Sequence, residues 1–152
     1  MPEKNGSRHS DGYAVTMRAY EQDYAGWAED TARAICEGRW DDIDRAALAD
    51  EVADLGKGER HKIVSAYRVL LAHLLKARYQ PERQSRSWEI TIKEQRRRVE
   101  RLYKENPSLR AQSDDLIAAG YEDARYEAAR DTDLDLEVLP ETCPFTEAEI
   151  AG

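Results

Sequence analysis

The stretch GERHKIVSAYRVLLAHLLKARYQ, residues 58–80, constrains this chain more than any other. Ile63, Tyr67, Leu70, Leu71, Leu74 and Leu75 recur at steps of three and four, so a helix here carries one continuous apolar face. Such a face has to be covered, and the neighbouring segments must supply the cover. Beside it lies a polar row at steps of seven: Glu59, then Ala66, His73 and Gln80. Seven residues are close to two turns, so these positions align above one another. Pro81 ends the helix, because proline disfavours α geometry in the residue before it.

The flanking segments read as further helices. Tyr20, Tyr24, Trp27, Ala28, Thr31, Ala34 and Ile35 mark a first amphipathic helix with an aromatic stripe, ending at Gly38. A short second helix, capped by Asp41 or Asp42, has Leu48, Val52 and Leu55 as its apolar face and is expected to break at Gly56 and Gly58. After the long third helix and the linker PERQSRS, Ser85 or Ser87 caps a fourth, with Trp88, Ile92, Val99, Leu102 and Tyr103 facing inward. Asn106-Pro107 reads as the start of a fifth, whose Gly120 and Ala124 would admit a close neighbour. Beyond Arg130 the segment DTDLDLEVLPETCPFTEAEIAG holds seven acids and no base. Its prolines force an extended path, Leu134, Leu136, Val138, Leu139 and Phe145 can pack inward, and Thr146 with Glu149 forms a capping box for a last helical turn. The expected fold is all-α, an antiparallel bundle of about five helices with an extended acidic C-terminal segment. Residues 1–16 are expected to be a flexible tail, 17–130 the bundle, and 131–152 the acidic segment packed on it.

The 152 residues suit one core, and 41% hydrophobic content arranged in stripes argues for a folded domain despite 36% charge and a mean hydropathy of -0.82. The net charge of -8 argues against general affinity for nucleic acid or anionic membranes. That charge is unevenly spread. Between Lys76 and Lys104 ten Lys and Arg stand against four Asp and Glu, which makes +6 there and -14 elsewhere. Such a dipole favours a homo-oligomer, a dimer in the simplest case, or an unidentified protein partner. No apolar run approaches the roughly 20 residues of a membrane span, and the polar start MPEKNGSRHSDG lacks the apolar core of an export signal. Cys36 and Cys143 are read as reduced thiols in a cytoplasm.

Several segments, in order, carry a family resemblance: the Tyr20/Asp23/Tyr24/Trp27 pattern, GRWDDID at 38–44, ALADEVADLGKGER at 47–60, LLAHLLKARYQPERQSRSWEITIKEQRRR at 70–98, NPSL at 106–109 and PETCPF at 140–145. Together they resemble the bacterial family catalogued as domain of unknown function twenty-nine, over about residues 20–150. The resemblance implies a helical domain and transfers no catalytic residue. Where that family has an aromatic after Lys76, this chain has Ala77.

Two constellations could carry chemistry. Glu51, Glu59, His73 and Gln95 fall on or beside apolar faces, with Asp23 on the first helix. Polar groups so placed are costly unless paired. They form either an internal hydrogen-bond network that sets helix register or a general acid–base or metal site. The network is the weightier reading, because the Glu-x-x-His pattern of bundle metal sites is missing; no metal ligand set and no cofactor is assigned. The second constellation is a basic face: Arg83, Arg86, Lys93, Arg97, Arg101 and Lys104. It could meet phosphates, yet Glu94 and Glu100 interrupt it, no outward aromatic is placed to stack bases, and the acidic segment could cover it. Cys143, without a neighbouring histidine, reads as a packed residue. Trp27, Trp40 and Trp88 read as core anchors, with Glu51 and Glu59 as acceptors for their indoles. The leading expectation is a non-enzymatic interaction or self-association module. Nucleic-acid binding through the Arg-rich helix 83–104 and a metal-dependent hydrolase or nuclease centred on His73 stand as alternatives.

Overall fold

The computed structural model describes residues 16–152, and the expected tail lies outside the described residues but for Thr16. Among them there is no strand. The α-helices are α1 (Tyr24–Cys36), α2 (Arg45–Tyr79), α3 (Arg86–Glu105), α4 (Ser113–Thr132) and α5 (Glu147–Ala151), joined by short 3-10 turns. The all-α helical bundle expected from the stripes is therefore observed. No helix among the described residues is long and apolar enough to cross a membrane.

The helices are partitioned differently from the expectation. The short second helix expected to break at Gly56 and Gly58 and the long one expected over 58–80 are one helix of 35 residues, about 50 Å long. Gly56 and Gly58 both stay in the helix rather than ending it. Each costs about 1 kcal/mol relative to alanine, and the surrounding Ala, Leu, Glu, Lys and Arg propagate the helix across them. Its first amides are held by Asp44, whose Oδ1 accepts from Ala46 and Ala47 at 3.1 Å each. Asp41 and Asp42, the expected caps, instead sit in the preceding 3-10 turn, where Asp42 pairs with Arg39. Asn106-Pro107 likewise opens a 3-10 turn, Pro107–Gln112, and α4 starts only at Ser113. Other local signals appear as expected. Ser85 rather than Ser87 caps α3 by accepting from the Trp88 amide at 3.3 Å, and the Thr146/Glu149 capping box starts α5.

The described residues fall into two compact units that divide after Val52. In the first, Trp27, Ala34 and Ile43 are buried together with Asp30 and Thr31. Tyr24 and Ile35, expected in the α1 stripe, are exposed; so is Val52, at 60%. In the second unit Ile63, Tyr67, Leu70, Leu71 and Leu75 of α2 meet Ile92, Val99, Leu102 and Tyr103 of α3 and Leu116, Tyr121, Ala124 and Ala128 of α4 in one core. Each fully buried leucine there contributes about 2 kcal/mol relative to an exposed one. Leu139 and Ile150 close the core from the C-terminal segment, whereas Val138 is exposed. Leu55, expected to face inward, is 72% exposed. Gly120 marks the close approach of α4 to α2: a Cβ there would stand 2.7 Å from Tyr67 Cβ and 3.0 Å from the Val64 carbonyl oxygen.

Candidate functional site

Asp23, Glu51, Glu59 and His73 of the expected polar set each have their own partners, and the Gln95 Oε1 has none. In the first unit Asp23 caps α1, its Oδ1 accepting from the Gly26 amide at 2.9 Å. Glu51 accepts from the hydroxyls of Tyr20 and Tyr24, both at 2.6 Å, rather than from an indole. Those tyrosines pack on Trp27, Tyr20 edge-on at 4.9 Å and Tyr24 stacked at 5.9 Å. In the second unit Glu59 binds the Lys62 ammonium at 2.6 Å and the Asn106 amide at 3.1 Å. Lys62 first, and Asn106 against the cost of burial, hold its carboxyl below the usual range. His73 bonds the Val69 carbonyl through Nδ1 at 2.8 Å. Burial, with Lys76 nearby, lowers the His73 imidazole below its ordinary value. Gln95 leaves a buried Oε1 without a partner. Glu59 and His73 lie 14 residues apart on one helix, about 21 Å along its axis, so the row does not gather them. Among the described residues no group of three or more His, Cys, Asp and Glu is placed to hold a metal ion.

A buried cation stands near His73 instead. Lys76 is only 5% exposed, pairs with Asp131 at 3.2 Å and lies 5.3 Å from the Trp88 ring centre. Burial works most strongly against ionisation of Asp131, but the bonds and charges of Lys76 and Arg130 together outweigh it and lower its carboxyl. The neighbouring Gln80 donates to the Thr132 carbonyl at 3.0 Å, fastening the end of α2 to the end of α4.

The basic positions lie on α3 and in the turn before it. Arg86, Lys93, Arg97, Arg101 and Lys104 are all exposed along one side of α3, while Arg83 lies in the turn before it and donates to Gln80. Arg101 has a loose contact with Glu105 at 3.9 Å. The acidic segment packs on this unit, but its attachments are not mainly carboxylate pairs. Arg96 donates to the carbonyls of Ile150 and Glu149 at 2.9 and 2.6 Å. Arg125 donates to those of Leu139 and Leu136 at 3.0 and 2.9 Å, and the Tyr121 hydroxyl to that of Pro140 at 2.7 Å. Arg78 reaches the Pro144 carbonyl at 3.3 Å, pairs with Glu149 and stacks 4.2 Å from the Phe145 ring centre. Of the segment's carboxylates, Asp131 and Glu149 make ion pairs. Asp133, Asp135, Glu137, Glu141 and Glu147 are exposed and make none among the described residues.

Arg125 and Lys76 were not among the expected site residues, and Arg96, within the expected Arg-rich helix 83–104, was not expected to hold the segment, though one signal marked all three. Arg96 sits between Ile92 and Val99 at helical spacing, Arg125 between Tyr121 and Ala128, and Lys76 beside Leu75. A cation set into an apolar row has to find acceptors where it lies. Cys143 is half-buried, and burial pushes its thiol up; both cysteines are free.

No curated protein and no solved structure matches the chain. A family model does, across residues 19–151, which is nearly all of it. The chain thus belongs to the family described as domain of unknown function DUF29.

Proposed function

We propose that this chain is a non-enzymatic self-association module, in which the basic face of α3 on one copy receives the acidic segment of a second. The observation that carries this reading is a pair of unspent surfaces on one unit. The segment is fastened by its main-chain carbonyls, so five of its carboxylates stay outward, while Lys93, Arg97, Arg101 and Lys104 stay outward on α3. Opposite charges carried on one chain can be satisfied twice in a two-fold pair. Complementary potentials of this kind steer association and weaken as salt screens them. A nucleic acid would find the same cations, yet the exposed apolar residue on that helix is Ile90, which offers no ring for a base. The two free thiols accord with a reducing, cytoplasmic setting.

Light scattering after size exclusion tests the reading. A dimer is expected at about 0.05 M salt and a monomer at about 0.5 M, where the Debye length has shrunk to about 4 Å. Arg97→Glu combined with Arg101→Glu should give a monomer at both. A monomer at low salt for the unaltered chain defeats the proposal, and salt-sensitive binding of RNA or DNA to that monomer would move the basic face to the nucleic-acid reading.

A further inference from the structure

A cavity of about 400 Å³ opens among α2, α3, α4 and α5 of the second unit. Leu70, Val99, Ile117 and Ile150 give it an apolar lining. Two tyrosines also line it, Tyr67 and Tyr103, each only 4% exposed. The Tyr67 hydroxyl donates to that of Tyr103 over 3.2 Å. Two phenols bring two O–H donors, and a single bond between them uses one. The Tyr103 O–H is left over, and no acceptor among the described residues takes it. A buried donor in that position is costly until something accepts from it.

The charged groups around the opening narrow the ligand. Arg110 lies 4.8 Å from the Tyr103 ring centre and gives Nη2 to Glu100 at 3.0 Å, which leaves its other N–H groups unspent. Arg96 has Nε and Nη2 on main-chain carbonyls and keeps Nη1. Glu147 lines the same cavity and balances them. Two cations against two carboxylates do not favour a multiply charged phosphate. One acceptor group of low charge, attached to an apolar body, matches both the orphaned hydroxyl and the apolar lining. The volume is at the small end of ligand sites, which run from about 300 to 1,000 Å³.

We infer that this cavity binds a small carboxylic acid with an apolar body, its carboxylate accepting from the Tyr103 hydroxyl beside Arg96 and Arg110.

Calorimetric titration of the full chain with octanoate, acetate, octanol and inorganic phosphate tests it. Octanoate should bind saturably at one site, and acetate, which lacks the body, and phosphate should not. Octanol should bind more weakly than octanoate. Tyr103→Phe keeps the ring and the Arg110 stack and should weaken octanoate about tenfold, the size expected for one hydrogen bond to a charged acceptor. Arg110→Gln, at an exposed position, should weaken it as well and guards against a Tyr103→Phe chain that does not fold. The inference is overturned if octanoate shows no saturable binding, if both variants bind it as the unaltered chain does, or if phosphate binds as well as octanoate.

Discussion

Residues up to Val52 bury Trp27, Ala34 and Ile43 but also Asp30 and Thr31, whereas residues from Ala53 onward bury mostly leucines, isoleucines, tyrosines and alanines drawn from three helices and the C-terminal segment. In the first unit the ordering contacts converge on carboxylates. Asp30 accepts from the Arg18 amide at 3.0 Å and from its Nε and Nη2 at 2.9 Å each, and Glu51 accepts two phenols. In the second, the buried polar residues Lys76 and Thr132 lie towards the ends of α2 and α4, and they are few beside the hydrophobic residues buried with them. The first unit should accordingly answer to changes of charge and the second to changes of volume. Hydrogen bonds to an ion fail when the ion is lost, while an apolar core fails when a cavity is left in it.

Leu71→Ala is the severest way to break that contrast. Leu71 is wholly buried in α2, and its truncation should cost about 3 kcal/mol in urea unfolding of the second unit. A loss below about 1 kcal/mol would mean that this core is looser than its burial indicates. Gln95→Met is the converse test. The Gln95 Oε1 is buried without a partner, so exchanging it for a thioether of similar size should raise stability by about 1 kcal/mol. If the exchange destabilises, the amide serves something outside these contacts.

The next tests turn to charge. Arg18, by hydrogen bonds first and charge second, holds the Asp30 carboxyl far below its ordinary value. Its folded pKa is thus depressed, and its stabilisation is complete above the unfolded value of about 4 and is lost as pH falls below that. The indole signal of Trp27 followed by NMR on acidification should report loosening of the first unit below about pH 4. In Asp30→Asn the unit should be loose already at neutral pH, and signals from α3 and α4 should stay put. Movement of both sets together would end the contrast. His73 should give the smallest effect. Its imidazole is lowered by burial, so the unfolded chain takes up the proton first. Stability should decline as pH drops from about 6.5 through the lower folded value and then level off, and His73→Gln should remove that slope.

How much of this was readable beforehand depends on what periodicity measures. The inward residues of α2 from Ile63 to Leu75 and of α3 from Ile92 to Tyr103 were legible, because a large apolar core imposes its period on every helix that touches it. The Thr146/Glu149 box was legible for the opposite reason: its partners are three residues apart and need nothing else. The row of Glu59 and His73 misled because a repeat reports the angle around an axis and says nothing of distance along it. Helix continuity through Gly56 and Gly58 was hidden because cooperativity is a property of the whole segment. The grip on the C-terminal segment was hidden as well. Its acceptors are carbonyls, which every residue has, so only the donors Arg96, Arg125 and Arg78 left a trace.

That last arrangement has a consequence for how the chain can change over time. A fastening that reads carbonyls is indifferent to the letters it fastens, so the outward positions between Asp133 and Glu147 can be rewritten without loosening the hold. The reverse does not apply: exchanging an arginine, at 96 or 125, removes two bonds from the hold whatever the composition of the stretch, and leaves Leu139 and Ile150 in the core to keep the rest. Variation is licensed more on one side of the clasp than on the other, and the outward surface can drift while its mounting stays the same.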